Sequence, residues 1–373
     1  MSTLRDALRR FDSQRRCWTQ GLERAFLAWL ARRGKLPDAK PGVRRILVIR
    51  STNRIGNNLF LLPFLQALRS AHPDADIELV CSGGPLLPFL SHLRLAQLHR
   101  VRLQGRHLLT ALPILWRLRR QHYDRVYVPF ASSTDHLIAA WVRGAEKLGF
   151  DDAKGDLLFE HPQRPDSECH YAHQPLQLLG QSASLTDPIP LGARLGPSPE
   201  LTTLVNTYPD RPLVGFFTGA RKGKGLSQPQ WQRLLWDLHQ HHPTALLIQL
   251  TDPADPMPPL GDCQVTLPNL VELVRFTQDL RLFISADTGP LHLAAASGVP
   301  CLGLFTQTDP ARYGCLGPRH RNQVIGDRNA IPLDLAWLGA ALTQAPVPRT
   351  WARAIRPAHQ PQPLRLLTDA NGR

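Results

Sequence analysis

The stretch from Asp279 to Pro318, DLRLFISADTGPLHLAAASGVPCLGLFTQTDPARYGCLGP, does most to limit the folds open to this chain. Leu282 to Ser285 is an apolar run of buried-strand length, and Val299 to Phe305 is another. Between them Asp287-Thr288-Gly289-Pro290 reads as a helix start. Asp or Thr caps, Gly allows close backbone approach, and Pro suits the first helical position. Leu291 to Ser297 is Ala-rich, and Gly298 is placed to end the helix. Strand, short helix and strand in this order is the unit of a parallel sheet. A small-residue turn opening a helix leaves free backbone N–H groups at the positive end of the helix dipole, which suits a phosphate or pyrophosphate. Phe305-Thr306-Gln307-Thr308-Asp309-Pro310 follows the second strand, so a second polar loop emerges at the sheet edge where ligands of open α/β sheets sit.

The same grammar appears earlier in the chain. Arg45 to Arg50 (RILVIR) reads as a buried strand, Ser51 to Asn58 as a polar loop, Leu59 to Ser70 as a helix and Ile77 to Cys81 as the next strand. Leu86 to Arg120 alternates Leu and Arg at helical spacing, interrupted by Pro88, Gly105 and Pro113. Arg125 to Phe130 and Lys147 to Phe150 are further strands, with a loop and helix over Ser132 to Arg143. Gly155 to Pro199 is polar and Pro-rich and reads as an interdomain connection. Leu213 to Thr218 starts a second α/β unit. The Gly- and Lys-rich loop Thr218 to Gly225 follows it and leads into a helix over Gln228 to His241. That loop lacks Walker spacing, but its cations can reach a phosphate. The boundaries are therefore 1–42 for a basic amphipathic extension, 43–199 and 200–345 for two α/β domains, and 346–373 for a Pro/Arg-rich tail.

In the extension, Leu4, Leu8, Phe11, Trp18, Leu22, Phe26, Trp29 and Leu30 recur at helical spacing opposite an Arg-rich face. Packing of that stripe on the body of the protein is favoured over attachment to an anionic membrane leaflet, because Gly21 interrupts it. The net charge of +14 favours anionic partners. No nucleic-acid module is present, and nucleic acid is not expected as a partner. The six cysteines form no C-x-x-C pair and no zinc spacing. No apolar run approaches the roughly 20 residues of a membrane span, and no signal-peptide core is visible. The expectation is a cytoplasmic protein, with peripheral attachment to the inner membrane as an open alternative.

Two sets of residues resemble one family. Asp287-Thr288-Gly289-Pro290-Leu291-His292-Leu293-Ala294-Ala295, then Gly298-Val299-Pro300 and Leu304-Phe305-x-x-Thr308-Asp309-Pro310, resemble the signature of glycosyltransferase family 9, the bacterial lipopolysaccharide heptosyltransferases. Ile46 to Arg50, Arg54-Ile55-Gly56-Asn57, Pro63, Leu65, Ala67-Leu68-Arg69 and Pro73 resemble its N-terminal signature. The resemblance implies a GT-B fold: two Rossmann-like parallel-sheet domains facing across a cleft, here with an N-terminal helical extension. It implies inverting, metal-independent transfer of a heptose-type sugar from an ADP-sugar to a phosphorylated lipopolysaccharide-type acceptor at the inner membrane surface. No cofactor beyond the donor substrate is expected.

For the donor the resemblance points to Lys224, with Lys222 second, to Asp255 or Asp252 for the ribose, and to Asp287, Thr288, Gly289, Pro290 and His292. It also exposes a departure. The family's proposed base is an Asp after Ile-Gly, and this chain has Asn57, whose neutral amide cannot accept a proton in the needed way. Asp135, His136 or the acceptor's own phosphate are the substitutes considered. The alternative is a catalytically silent relative that binds sugar nucleotide or lipopolysaccharide. A Rossmann oxidoreductase is disfavoured because no G-x-G-x-x-G follows either first strand.

Overall fold

The computed structural model describes residues 21–22, 24–36, 42–82, 89–103, 107–152, 154–189, 191, 195–196, 198–220, 223–252, 258–326 and 331–343. Lys222, Asp255, the first part of the N-terminal amphipathic stripe and the Pro/Arg-rich tail lie outside the described residues.

The first sheet has five strands: β1 (Arg45–Arg50), β2 (Asp76–Cys81), β3 (Gln97–Arg100), β4 (Tyr123–Val128) and β5 (Gly144–Gly149). Their order is β3-β2-β1-β4-β5, and the pairings are all parallel. The second sheet has six: β6 (Leu213–Phe217), β7 (Leu246–Thr251), β8 (Cys263–Thr266), β9 (Leu282–Ala286), β10 (Cys301–Phe305) and β11 (Arg321–Val324). Their order is β11-β10-β9-β6-β7-β8, again parallel. In both sheets the first strand in the chain lies centrally with the fourth beside it, so the chain reverses direction across the sheet between these two strands.

Period-two alternation sends the side chains of β1 to two different cores. Ile46 and Val48 face one apolar cluster, and Leu47 and Ile49 face another. The end of the expected polar loop Ser51 to Asn58 forms a short helix, α1 (Ile55–Leu59), and the helix expected over Leu59 to Ser70 is α2 (Leu62–Ala71), with Pro63 in its first turn. Phe64, Leu65 and Leu68 of α2 are buried with Ile46 and Val48. The same cluster continues through Phe60 and Ala172 to Phe283, Leu291 and Leu293, so the two halves share one apolar seam.

On the opposite face of the first sheet lie α3 (His107–Arg120), α4 (Ser133–Trp141) and a helix at residues 24–34 of the extension. Leu27 and Leu30 of that helix are buried with Leu47, Ala111, Leu118 and Ala139. Beyond it, Lys35 bridges Gly144 in parallel and the Leu36 N–H donates to the Gly144 carbonyl (3.2 Å), which extends the sheet past β5. Of the described residues in the stripe expected to pack, only Leu30 is buried, beside Leu27, which the stripe did not include; Leu22, Phe26 and Trp29 stay exposed.

The connection between the halves is tied to the C-terminal domain. The Tyr171 N–H donates to the Arg312 carbonyl (2.9 Å), His170 Nε2 meets the Gly314 carbonyl (3.0 Å), and the Leu191 N–H donates to the Ala296 carbonyl (3.2 Å). Among the described residues no helix is long and apolar enough to cross a membrane.

Candidate functional site

Three loops of the C-terminal half converge on one carboxylate. Asp287 directly follows β9, and its N–H donates to the Leu304 carbonyl of β10 (3.2 Å), which fixes its backbone. Lys224, from the loop after β6, donates Nζ to Asp287 Oδ2 at 2.6 Å. Thr308, from the loop after β10, donates Oγ1 to the same oxygen at 2.7 Å. His292, on the helix α5 (Gly289–Ala296), places Nε2 3.0 Å from Asp287 Oδ1. Thr306 Oγ1 donates to the Lys224 carbonyl (3.1 Å), so the loops after β6 and β10 brace each other as well.

The electrostatics follow from these contacts. Burial alone raises the pKa of Asp287, but hydrogen bonds from His292, Lys224 and Thr308 overcome it and hold the carboxyl well below its usual range. Burial alone lowers the pKa of His292. The Asp287 hydrogen bond, with the Cys315 thiol as a second partner, reverses this and raises it to about 9. Cys315 is itself pulled down by its hydrogen bond with Cys301 and, against burial, by the imidazole. His292 is thus an imidazolium balanced by its own carboxylate. Lys224 carries three N–H donors on Nζ, one of which goes to Asp287.

Thr288 caps α5, its side chain accepting from the Leu291 N–H. Gly289 and Pro290 form the first turn, where N–H groups have no intrahelical acceptor. Gly298, at a φ of +91°, ends the turn after the helix as its position requires. Asp309, at the second polar loop, accepts from the Ala311 N–H (2.9 Å) and fixes its own turn.

The N-terminal domain closes over this constellation. A Cβ on Gly289 would lie 2.9 Å from the Ile55 Cβ, and one on Gly56 would lie 3.2 Å from His292 Cδ2. Phe60 packs edge-on against His292 with ring centroids 4.9 Å apart. Asn57, within α1, is therefore on the segment that faces the Asp287 cluster across the domain seam.

Asp135 and His136 sit elsewhere. Both are buried in the first turn of α4. Asp135 Oδ1 accepts from the Ser51 N–H (2.8 Å) and from the Ser51 hydroxyl, and Arg50 lies 3.7 Å from Oδ2. Burial raises the Asp135 pKa against the pull of Ser51 and Arg50. His136 Nε2 lies 3.3 Å from Asp152 Oδ2, and burial lowers its pKa. Both side chains are thus withdrawn from solvent, and Asp135 is bonded to the half-buried Ser51.

Thr308, Cys315 and Ser51 were not singled out as site residues from the sequence. Thr308 was within reach, because its loop leaves the same sheet edge as Asp287. The other two meet their partners only through the fold. Among the described residues no group of three or more His, Cys, Asp or Glu side chains is placed to hold a metal ion.

A model of glycosyltransferase family 9 (heptosyltransferase) matches residues 114–332, more than half of the chain. This chain belongs to glycosyltransferase family 9. The matched span contains β4 to β11 and the whole Asp287 constellation, whereas β1 and Asn57 precede it. Three solved structures are similar in fold. A glycosyl transferase family 9 protein from Veillonella parvula superposes with a TM-score of 0.61 at 17% identity, covering 81% of this chain and 92% of that one. The ADP-heptose lipopolysaccharide heptosyltransferase II of E. coli gives 0.59 at 18%, covering 80% and 98%. The E. coli heptosyltransferase WaaC with ADP gives 0.55 at 18%, covering 75% and 93%. The two parallel-sheet domains thus form the GT-B architecture of these enzymes. No curated protein sequence matches.

Proposed function

We propose that this family 9 member transfers a heptose-type sugar from an ADP-sugar to a lipopolysaccharide core or related phosphorylated glycan, with inversion and without a metal ion. The observation that carries this reading is the single carboxylate, Asp287, that gathers Lys224, Thr308 and His292 at the start of α5, opposite α1 of the other domain. The two E. coli structures, whose names specify ADP or ADP-heptose, support the choice of nucleotide.

In this reading the donor diphosphate lies against the Thr288 and Gly289 N–H groups and the Lys224 ammonium. As the bond from the anomeric carbon to the diphosphate oxygen breaks, these groups stabilise the charge that develops on ADP. The acceptor oxygen attacks the opposite face of that carbon, so a single displacement inverts it. Asp287 and His292 orient Lys224 and the helix start. Asn57 can hold the acceptor hydroxyl by hydrogen bonding but cannot take its proton. The proton goes to the acceptor's own phosphate, or to Asp135 by way of Ser51.

Calorimetric titration with ADP, UDP and GDP, followed by measurement of ADP release from ADP-heptose with and without acceptor, tests the proposal. Binding selective for ADP with acceptor-dependent release is expected. Preference for another nucleotide would overturn the donor assignment, and absence of all nucleotide binding would remove the transferase reading. A second reading rests on Asn57 and on the burial of Asp135: a family member that binds donor without turnover. ADP-sugar binding with neither transfer nor hydrolysis would favour it.

A further inference from the structure

The first domain carries an exposed apolar and basic face that the sugar-transfer site does not use. It is formed by the helix at residues 24–34 and by α3. The inner sides of these helices, Leu27 and Leu30 from one and Ala111 and Leu118 from the other, are buried in one cluster against the same face of the first sheet. Their outer sides therefore look away from that sheet in company. Phe26 (52% exposed), Trp29 (48%), Leu109 (75%) and Trp116 (55%) stand there, with Leu108 and Leu112 beside them. A soluble surface scatters such residues singly; a group of large apolar side chains marks an interaction face.

Its charges name the partner. The described residues of the two helices include Arg24, Arg32, Arg33, Arg117, Arg119 and Arg120, against a single carboxylate, Glu23, in the adjoining sequence. Arg24 is occupied by Asp156 at 2.8 Å. Arg33 lies over the Trp29 ring at 4.3 Å, and Arg119 over Trp141 at 4.6 Å. Trp116 meets Trp141 edge-on at 5.6 Å. Burial, with like charge from Arg143 and Arg33, lowers the Arg119 pKa. Two copies of such a face would repel each other. A surface with an apolar interior and anionic headgroups fits it: Trp, Phe and Leu enter the headgroup–acyl boundary while the guanidinium groups remain at headgroup level.

We propose that this face docks the protein onto an anionic lipid bilayer, through Phe26, Trp29, Leu109 and Trp116, with the arginines supplying the preference for negative headgroups. The inference deepens the proposed function only in placing the enzyme beside a membrane-borne acceptor. It stands or falls separately, because nucleotide binding is read at the other domain.

The test is co-sedimentation of the full chain with phosphatidylcholine vesicles with and without phosphatidylglycerol. Binding is expected to be at least about tenfold tighter to the anionic vesicles and to weaken with salt. The triple substitution Trp29→Ser, Leu109→Ser, Trp116→Ser should lower it by about tenfold or more, with melting temperature and ADP binding unchanged. Arg32→Glu with Arg33→Glu should remove the headgroup preference. Vesicle binding by the triple variant equal to that of the unsubstituted chain would overturn the proposal. So would a dimer of the unsubstituted chain that the triple substitution converts to monomer. As a check that needs no variant, lipids brominated along the acyl chain should quench the tryptophan fluorescence of the unsubstituted protein. Unquenched fluorescence would equally overturn the proposal.

Discussion

Asp135 and Asp287 occupy matching places in the two halves. Asp135 follows β4, which neighbours the leading strand β1; Asp287 follows β9, which neighbours the leading strand β6. Each reaches across to the loop after that leading strand, Asp135 to Ser51 and Asp287 to Lys224. Their surroundings then diverge. Asp135 receives a serine hydroxyl and an amide, with its nearest cation at 3.7 Å, and burial governs its pKa. Asp287 receives an ammonium at 2.6 Å and an imidazolium at 3.0 Å, and its charge is secured. The same sheet topology thus yields an ionised hub in one half and a buried, weakly paired carboxyl in the other. The direct charge contact makes the difference, because desolvation acts on both.

Restoring a carboxylate opposite the hub should have the largest effect. Asn57→Asp is expected to raise transfer by about a hundred- to ten-thousandfold, the usual worth of a positioned base, with donor affinity unchanged. Single-turnover sugar transfer measures it, and an unchanged rate would direct attention to Ser51 and Asp135 instead. Asp287→Ala comes next. It leaves the His292 imidazolium buried without its partner, at a cost of roughly 3–5 kcal/mol in urea unfolding. A loss no larger than that of Asp135→Ala would break the contrast drawn between the two carboxylates.

The pH dependence sharpens the same contrast. His292 binds its proton more tightly when folded, its pKa rising from 6.5 to about 9. Its contribution to stability is therefore complete below pH 6.5 and is lost as the pH rises through about 9. The whole effect is at most about 3 kcal/mol. Melting temperatures of the native chain and of His292→Gln between these pH values should converge as the pH rises; parallel curves would count against the imidazolium. The smallest expected effect is that of Lys224→Met. ADP affinity should fall by about tenfold to a hundredfold in calorimetry while the melting temperature changes little.

Much of the architecture was legible because buried parallel strands leave short apolar runs bounded by turn residues. RILVIR, the run over Leu282 to Ser285 and the helix Gln228–His241 all stand where their patterns put them. The edge strands β3 and β8 were not visible. QLHR is embedded in a Leu/Arg stretch that also satisfies helical spacing, and CQVT alternates half-buried with exposed positions at the sheet margin. Pro113, read as an interruption, lies within α3 on its exposed side, where the carbonyl it leaves unpaired can meet water.

The site was legible as far as local sequence carries it. Thr288, Gly289 and Pro290 announce a helix start, and a lysine before the next helix announces a cation. The pairing of Asp287 with Lys224, 63 residues apart, and of Ser51 with Asp135, 84 apart, exists only once the sheets assemble. So does the thiol pair behind His292.

Gly56 and Gly289 meet the opposite domain where even a methyl group would collide with Ile55 or crowd His292. The approach of the two domains at this point is thus set by two hydrogen atoms. An alanine at either position would act as a shim, holding the jaws a fraction of an ångström too wide without touching a single reacting group.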